Sequence, residues 1–280
     1  ARTRPWGLIL FRRNCETPDQ LKALTAAFRT AVGRRNAPVF IDQEGGRVQR
    51  LGPPNNAWRR YPPARLYGEA FAKDPLAALR TARNVGRLMA RDLIEAGITA
   101  NCVPVLDVPQ PGAHEIVGDR AYATRIEPIM ALARAHAAGF VDGGVLPVIK
   151  HIPGHGRAGA DSHLSLPVVD ASYADLDAVD FAPFRALSDM PLAMTAHVVY
   201  SAVDPRRPAT TSKAVINQVI RGAIGFDGLL MSDDLSMQAL SGDLTERAEQ
   251  ALNAGCDMLL HCNGRMDEMR AVAAGADPLE

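Results

Sequence analysis

The chain has 280 residues, and its 31 Lys plus Arg balance 31 Asp plus Glu, so the formal net charge is zero. Hydrophobic residues make up 47% and charged residues 22%, as in an ordinary globular protein. Such a balance gives no footing for a nucleic-acid partner and suits a small, neutral substrate. No apolar run approaches the roughly 18 residues of a membrane span. The apolar run near the N-terminus, Leu8 to Phe11, is too short for a secretory core. Cys15, Cys102, Cys256 and Cys262 are scattered and form no CxxC pair. That pattern leaves neither a zinc ribbon nor a redox motif, and reads as free thiols in a reducing, cytoplasmic setting.

In chain order, short apolar runs alternate with helical patterns. The runs are Trp6–Phe11, Val39–Ile41, Thr99–Val103, Val145–Ile149, Leu192–Thr195, Leu229–Met231 and Met258–Leu260. None alternates with polar residues, as expected of parallel strands covered on both faces. The first helix has Thr17 as its cap, Pro18 at its first position and Gln20 completing a capping box. Leu21, Leu24, Phe28 and Ala31 then share a face. A second helix starts at Asp74-Pro75 and ends at Gly97. Others are expected at Pro128–Val141, Tyr173–Leu187, Lys213–Ala223 and Thr245–Ala254, with Gly97 and Gly255 where left-handed caps belong. Asp42 to Lys73 reads as one long loop, and a loop of that length is usually functional or disordered. No linker divides the chain. Residues 1–280 are therefore expected to form one α/β domain, a (β/α)8 TIM-like barrel, irregular or trimmed at its ends; a doubly wound sheet is the alternative.

Catalytic groups of such a barrel come from the C-terminal ends of its strands. The second run delivers Asp42, then Glu44, Arg47 and Arg50. The third leads to Asp107 and Gly118-Asp119-Arg120. The fourth delivers Lys150 and His151 and opens a Gly-rich loop carrying His155, Asp161 and His163. Later runs deliver His197, then Ser232-Asp233-Asp234, then His261. Asp161 and His163 stand two apart, which places them on one side of an extended segment. A carboxylate there raises an imidazole pKa from about 6.5 and orients the ring for proton donation near neutral pH. The plainer alternative is a solvated loop with Asp161 capping a turn. Of Asp233 and Asp234, one could be a nucleophile, or both could cap a helix beginning near Leu235. Lys150 and His151 could hold hydroxyls, or be a snorkelling lysine and a satisfied core histidine. A metal site at His151, His155, His163 and Asp233 is conceivable, but no HxH, HExxH or Cys/His pair at zinc spacing occurs. No GxGxxG or GxxxxGK[ST] loop is present for a nucleotide cofactor. No metal and no cofactor are expected.

The stretches KHIPGHGRAGADSHLSLP, IDQEGGRVQR, VLDV, VGDRAY, MTAHVVY and GLLMSDDLSM strongly resemble the β-N-acetylglucosaminidases of glycoside hydrolase family 3. The match is nearest to the single-domain bacterial type of cell-wall recycling, and runs from Trp6 to about Asn263 in the family's own order. The resemblance implies a retaining enzyme with a covalent glycosyl intermediate on Asp233. It implies His163 as acid/base, paired with Asp161 on a mobile loop. It assigns sugar binding to Asp42, Arg50, Arg120, Lys150 and His151, and leaves His155 and Gly154 as loop hinge and support. His197 becomes a wall of the pocket or a group just behind it. The implied substrate is a muropeptide carrying N-acetylglucosaminyl-β-1,4-(anhydro)-N-acetylmuramic acid. Family members usually begin with one more strand and helix and continue past Asn263.

Overall fold

The computed structural model describes residues 3–52, 58–162 and 164–276. In chain order its elements begin with β1 (Leu8–Leu10), α1 (Pro18–Val32), β2 (Val39–Ile41), β3 (Gln43–Gly45) and β4 (Val48–Gln49). There follow α2 (Ala64–Phe71), α3 (Pro75–Glu95), β5 (Ala100–Asn101), α4 (Ile126–Asp142), β6 (Leu146–Ile152) and β7 (Val168–Val169). The rest comprises α5 (Tyr173–Asp175), α6 (Ala182–Ala186), β8 (Leu192–Thr195), β9 (Val199–Tyr200), β10 (Asp204–Pro208), β11 (Leu229–Asp234), α7 (Leu244–Ala254), β12 (Met258–Leu260) and α8 (Met266–Ala274).

Seven strands, all parallel, form one sheet in the order β1-β2-β5-β6-β8-β11-β12. Each of the seven apolar runs marks one of them, although β6 and β11 continue three residues past theirs. The sheet curls. One buried cluster is made only of strand and strand-end residues, among them Ile9, Phe40, Cys102, Val148, Met194, Met231 and Leu260, and contains no helical residue. It takes members from β1 at one edge and β12 at the other, so it fills the inside of a barrel. The alternate residues Val39, Ile41, Ile149, Ala193 and Leu230 join two clusters built with the helices. This period of two explains why the runs look apolar throughout: the inner face packs on itself and the outer face on helices. Between β1 and β12 no strand pairing occurs among the described residues, but the Arg13 side chain donates to the Cys262 carbonyl across that seam. The fold is thus the TIM-like barrel expected, with seven strands in the sheet.

The helices keep their caps. Thr17 accepts from the Gln20 N–H at 3.2 Å, though the Gln20 side chain turns to the Glu16 N–H and leaves the capping box half made. Asp74 caps α3. Gly97 follows α3 at φ +77° and Gly255 ends α7 at φ +117°, conformations that favour glycine. Three expectations need correction. Residues 42–73 are not structureless: they hold the β3–β4 hairpin, which turns at Gly45 and Gly46 with φ +98° and +56°, and helix α2. Residues 173–187 do not form one regular helix, because a π-turn over Leu176–Asp180 separates α5 from α6. Residues 215–223 are π-helical as well. A separate three-stranded sheet of β10, β9 and β7 accompanies the barrel.

Candidate active site

Two-residue steps along the barrel's inner face lead directly to the site. Phe40 points inward, so Asp42 does; Val148 leads to Lys150, and Met231 to Asp233. These groups meet above the apolar plug. The Lys150 ammonium lies 2.9 Å from Asp42 Oδ1 and 2.7 Å from Glu44 Oε1. Arg50 grips the other Asp42 oxygen at 3.0 Å and lies over the Phe11 ring at 5.2 Å. Arg120 holds Glu44 with two bonds of 2.8 Å. Two carboxylates and three cations thus form one network. Such charge-assisted bonds to buried carboxylates are the strong kind. Burial pushes the Glu44 carboxyl up, but Arg120 and Lys150 outweigh it and bring it down to about 2. Asp42 is held well below the carboxylate range in the same way by Lys150 and Arg50. Burial pulls the Lys150 ammonium down, and Asp42 and Glu44 lift it above the ordinary lysine range.

A second constellation centres on Asp107, which is fully buried. Its Oδ2 receives His151 Nδ1 at 2.7 Å, and its Oδ1 accepts the backbone N–H groups of His151 (3.2 Å) and His155 (2.7 Å). One carboxylate therefore fixes the His151 ring and the start of the Gly-rich loop together. His155, expected with Gly154 to serve as loop hinge and support, is a buried anchor. Its Nε2 meets Ser162 Oγ at 3.1 Å, and burial, with His151 nearby, pulls its pKa down to about 4. Tyr200 donates to the Gly154 carbonyl at 2.5 Å, and Arg157 Nε bonds Asp180 at 2.6 Å. The base of the loop is thus tied to three other segments. Further along, Asp161 is half-buried, and its carbonyl accepts the N–H groups of Leu164 and Ser165 in a turn. His163 lies outside the described residues.

The structure separates the two neighbouring aspartates. Asp234 does local work with both oxygens: Oδ1 accepts the N–H groups of Ser236 (3.0 Å) and Cys262 (3.1 Å), and Oδ2 the Ser236 hydroxyl at 2.6 Å. Asp233 accepts only the Asp234 N–H, at 2.7 Å on Oδ1; its other oxygen takes no hydrogen bond among the described residues. Burial raises the Asp233 pKa, but the His197 and His151 rings, the Asp234 N–H and Lys150 reverse this and leave it lowered. The idea that both cap a helix near Leu235 does not hold. Strand β11 runs through Asp234, and the next helix starts at Leu244 under an Asp243–Glu246 capping box.

The sequence-predicted residues Asp42, Arg50, Arg120, Lys150 and His151 therefore come together from four segments, and Asp233 lies within electrostatic reach of Lys150 and His151. Glu44 and Asp107 were visible only as charges after strands and had no assigned role. The Asp42-x-Glu44 spacing, two residues on one face, was the available signal for Glu44. Nothing local marked Asp107, whose partner is 44 residues away. Among the described residues, no group of three or more His, Cys, Asp or Glu is arranged to hold a metal ion, and no helix is long and apolar enough to cross a membrane.

This geometry can be set beside known proteins. Residues 6–280 match the model of the glycosyl hydrolase family 3 N-terminal domain. A β-hexosaminidase of Alkalilimnicola ehrlichii is 42% identical over 264 residues, covering 93% of this chain and 74% of that protein. NagZ from Neisseria gonorrhoeae, solved in complex with N-trifluoroacetyl-D-glucosamine, superposes with a TM-score of 0.89 at 39% identity, over 98% of this chain and 79% of that one. A family 3 β-N-acetylglucosaminidase from a Paenibacillus strain superposes with a TM-score of 0.88 at 34% identity; the match covers 97% of this chain and about half (51%) of that one. A family model spanning nearly the whole chain, curated relatives above 40% identity and the shared barrel agree: the chain belongs to glycosyl hydrolase family 3 and is a glycoside hydrolase.

Proposed function

We propose that the protein is a retaining exo-β-N-acetylglucosaminidase that removes terminal N-acetylglucosamine from peptidoglycan-derived muropeptides in the cytoplasm, with residues 1–280 as one catalytic unit. The observation that carries the reading is the contrast between Asp233, one of whose oxygens takes no hydrogen bond among the described residues, and its fully engaged neighbour Asp234. Asp233 attacks the anomeric carbon as the glycosidic C–O bond breaks, and His163, oriented by Asp161, gives its proton to the leaving oxygen. In the second step His163 takes a proton from water, the water oxygen attacks the same carbon, and the Asp233–sugar ester opens. Two inversions give net retention.

Asp42, Arg50, Arg120, Lys150 and His151 bind the sugar. Their pre-formed network supports this role: the charged groups hold one another in place and keep spare lone pairs and N–H groups for hydroxyls. The sugar analogue bound by the gonococcal relative supports N-acetylglucosamine as the glycone. The free cysteines support a reducing compartment. The test is hydrolysis of 4-nitrophenyl N-acetyl-β-D-glucosaminide against the matching glucoside. Rapid release from the first and slow release from the second is expected, and His163→Ala should lose far more activity on natural muropeptides than on the aryl glycoside. No release from the acetamido substrate would rule the reading out.

A further inference from the structure

Beside Asp233 lies a run of polar groups that the reaction does not touch. Thr195 ends β8, His197 follows it, and Thr210 sits in the short turn Ala209–Thr211; all three side chains are fully buried. The Asp233 N–H lies 3.3 Å from Thr195 Oγ1. Thr195 Oγ1 is 2.8 Å from Thr210 Oγ1, which is 2.7 Å from His197 Nδ1. His197 Nε2 then lies 3.0 Å from the Asp234 carbonyl.

Donor and acceptor rules fix the direction of this run. A carbonyl only accepts, so His197 Nε2 carries a proton. The ring is buried and its two nitrogens face neutral partners; burial lowers its pKa against the pull of the Asp233 and Asp234 charges, and in the neutral ring with its proton on Nε2, Nδ1 is an acceptor. The Thr210 hydroxyl must therefore donate to His197, although the Ala196 carbonyl is also in reach at 3.2 Å. Thr195 in turn donates to Thr210, which leaves its lone pair for the Asp233 N–H. Every donor in the series thus has an acceptor.

We propose that Thr195, Thr210 and His197 form a one-way hydrogen-bond chain that positions the nucleophile, running from the Asp233 N–H to the Asp234 carbonyl and clamping the backbone on which the Asp233 side chain stands. The inference rests on the reading of Asp233 as nucleophile. A core needing only volume would be filled as well by Val, Val and Leu, without three buried polar groups that must each find a partner. The clamp acts where placement matters most, since an attacking atom must sit within about 3–3.5 Å of its target.

The test compares Thr195→Val, Thr210→Val and His197→Leu, which break the chain at similar volume, with Thr195→Ser, Thr210→Ser and His197→Gln, which keep a donor and an acceptor at each point. The breaking variants should lose about 10- to 100-fold in kcat on 4-nitrophenyl N-acetyl-β-D-glucosaminide, the scale of a small misplacement of reacting groups. Their KM, and the Kd of N-acetylglucosamine by calorimetry, should stay within about twofold, because sugar binding belongs to other residues. The conservative variants should recover most of the loss, and the triple breaking variant should cost little more than the worst single one. Loss of sugar binding in step with kcat, failure of the breaking variants to fold, or absence of rescue would overturn the inference by making the chain a part of the fold. An inactive wild-type protein would overturn the glycosidase reading as well, whereas active wild type with unaffected variants would overturn this inference alone.

Discussion

At the scale of single residues, the site is a set of charges that hold each other before any substrate arrives. Glu44 shows the cost of undoing this. Its side chain is 6% exposed and faces both Arg120 and Lys150. Glu44→Ala would leave Arg120 without its fork and Lys150 with Asp42 alone, an uncompensated buried charge of the kind that costs about 3–5 kcal/mol. Urea denaturation should show a loss of that order, with a raised KM in whatever enzyme still folds. The sequence showed these groups as individuals but not as partners. Asp42, Lys150 and Arg120 could be picked out through the family's motifs. That Glu44 joins Lys150 to Arg120, or that Asp107 serves two histidines, depends on contacts between segments 44 or more residues apart, which no local pattern encodes.

At the scale of elements, the Gly-rich loop after β6 is fixed at its base by close approach as well as by hydrogen bonds. A Cβ on Gly156 would stand 2.0 Å from the Val108 carbonyl oxygen, a backbone atom in the segment that carries Asp107. Gly156→Ala should therefore push the loop away from that segment. Steady-state kinetics should show a drop of about 10- to 100-fold in kcat/KM, and the melting temperature should fall with the strain of an overpacked contact. The seven barrel strands were legible because each one coincides at least in part with a short apolar run. Their polar ends were not: β6 continues through Lys150 to Ile152, and β11 through Asp233 and Asp234. In those places charged and imidazole groups sit on the strand and break its apolar signature. The β3–β4 hairpin was too short to leave a period, and α2 was hidden behind Pro62 and Pro63. The π-turn before α6 has a local cause in Pro183, which lacks the N–H that a regular helix would use.

At the scale of the whole molecule, seven parallel strands close around an apolar plug and present the charged rim at one end. Buried titrating groups make stability depend on pH. Burial pulls both His136 and His155 down to about 4 from an ordinary 6.5. The unfolded chain therefore binds more protons between these values, so the stabilisation is complete above pH 6.5 and is lost as pH falls toward 4. Each histidine accounts for about 3 kcal/mol at most over that window. Asp180, raised by burial to about 6 despite Arg157, works in the opposite sense between 3.8 and 6 and offsets part of the change. The melting temperature should fall between pH 6.5 and pH 4, and His155→Gln should flatten the fall.

The central claim is that Asp233, and not Asp234, attacks the sugar. A 5-fluoro-N-acetylglucosaminyl fluoride reacts through a good leaving group but slows release of the glycosyl-enzyme, so it should trap the intermediate. After digestion, fragmentation of the peptide containing LLMSDDLSM should place the sugar's mass on Asp233. The sugar on Asp234, or an unmodified peptide from an enzyme that turns over the aryl glycoside, would contradict the account.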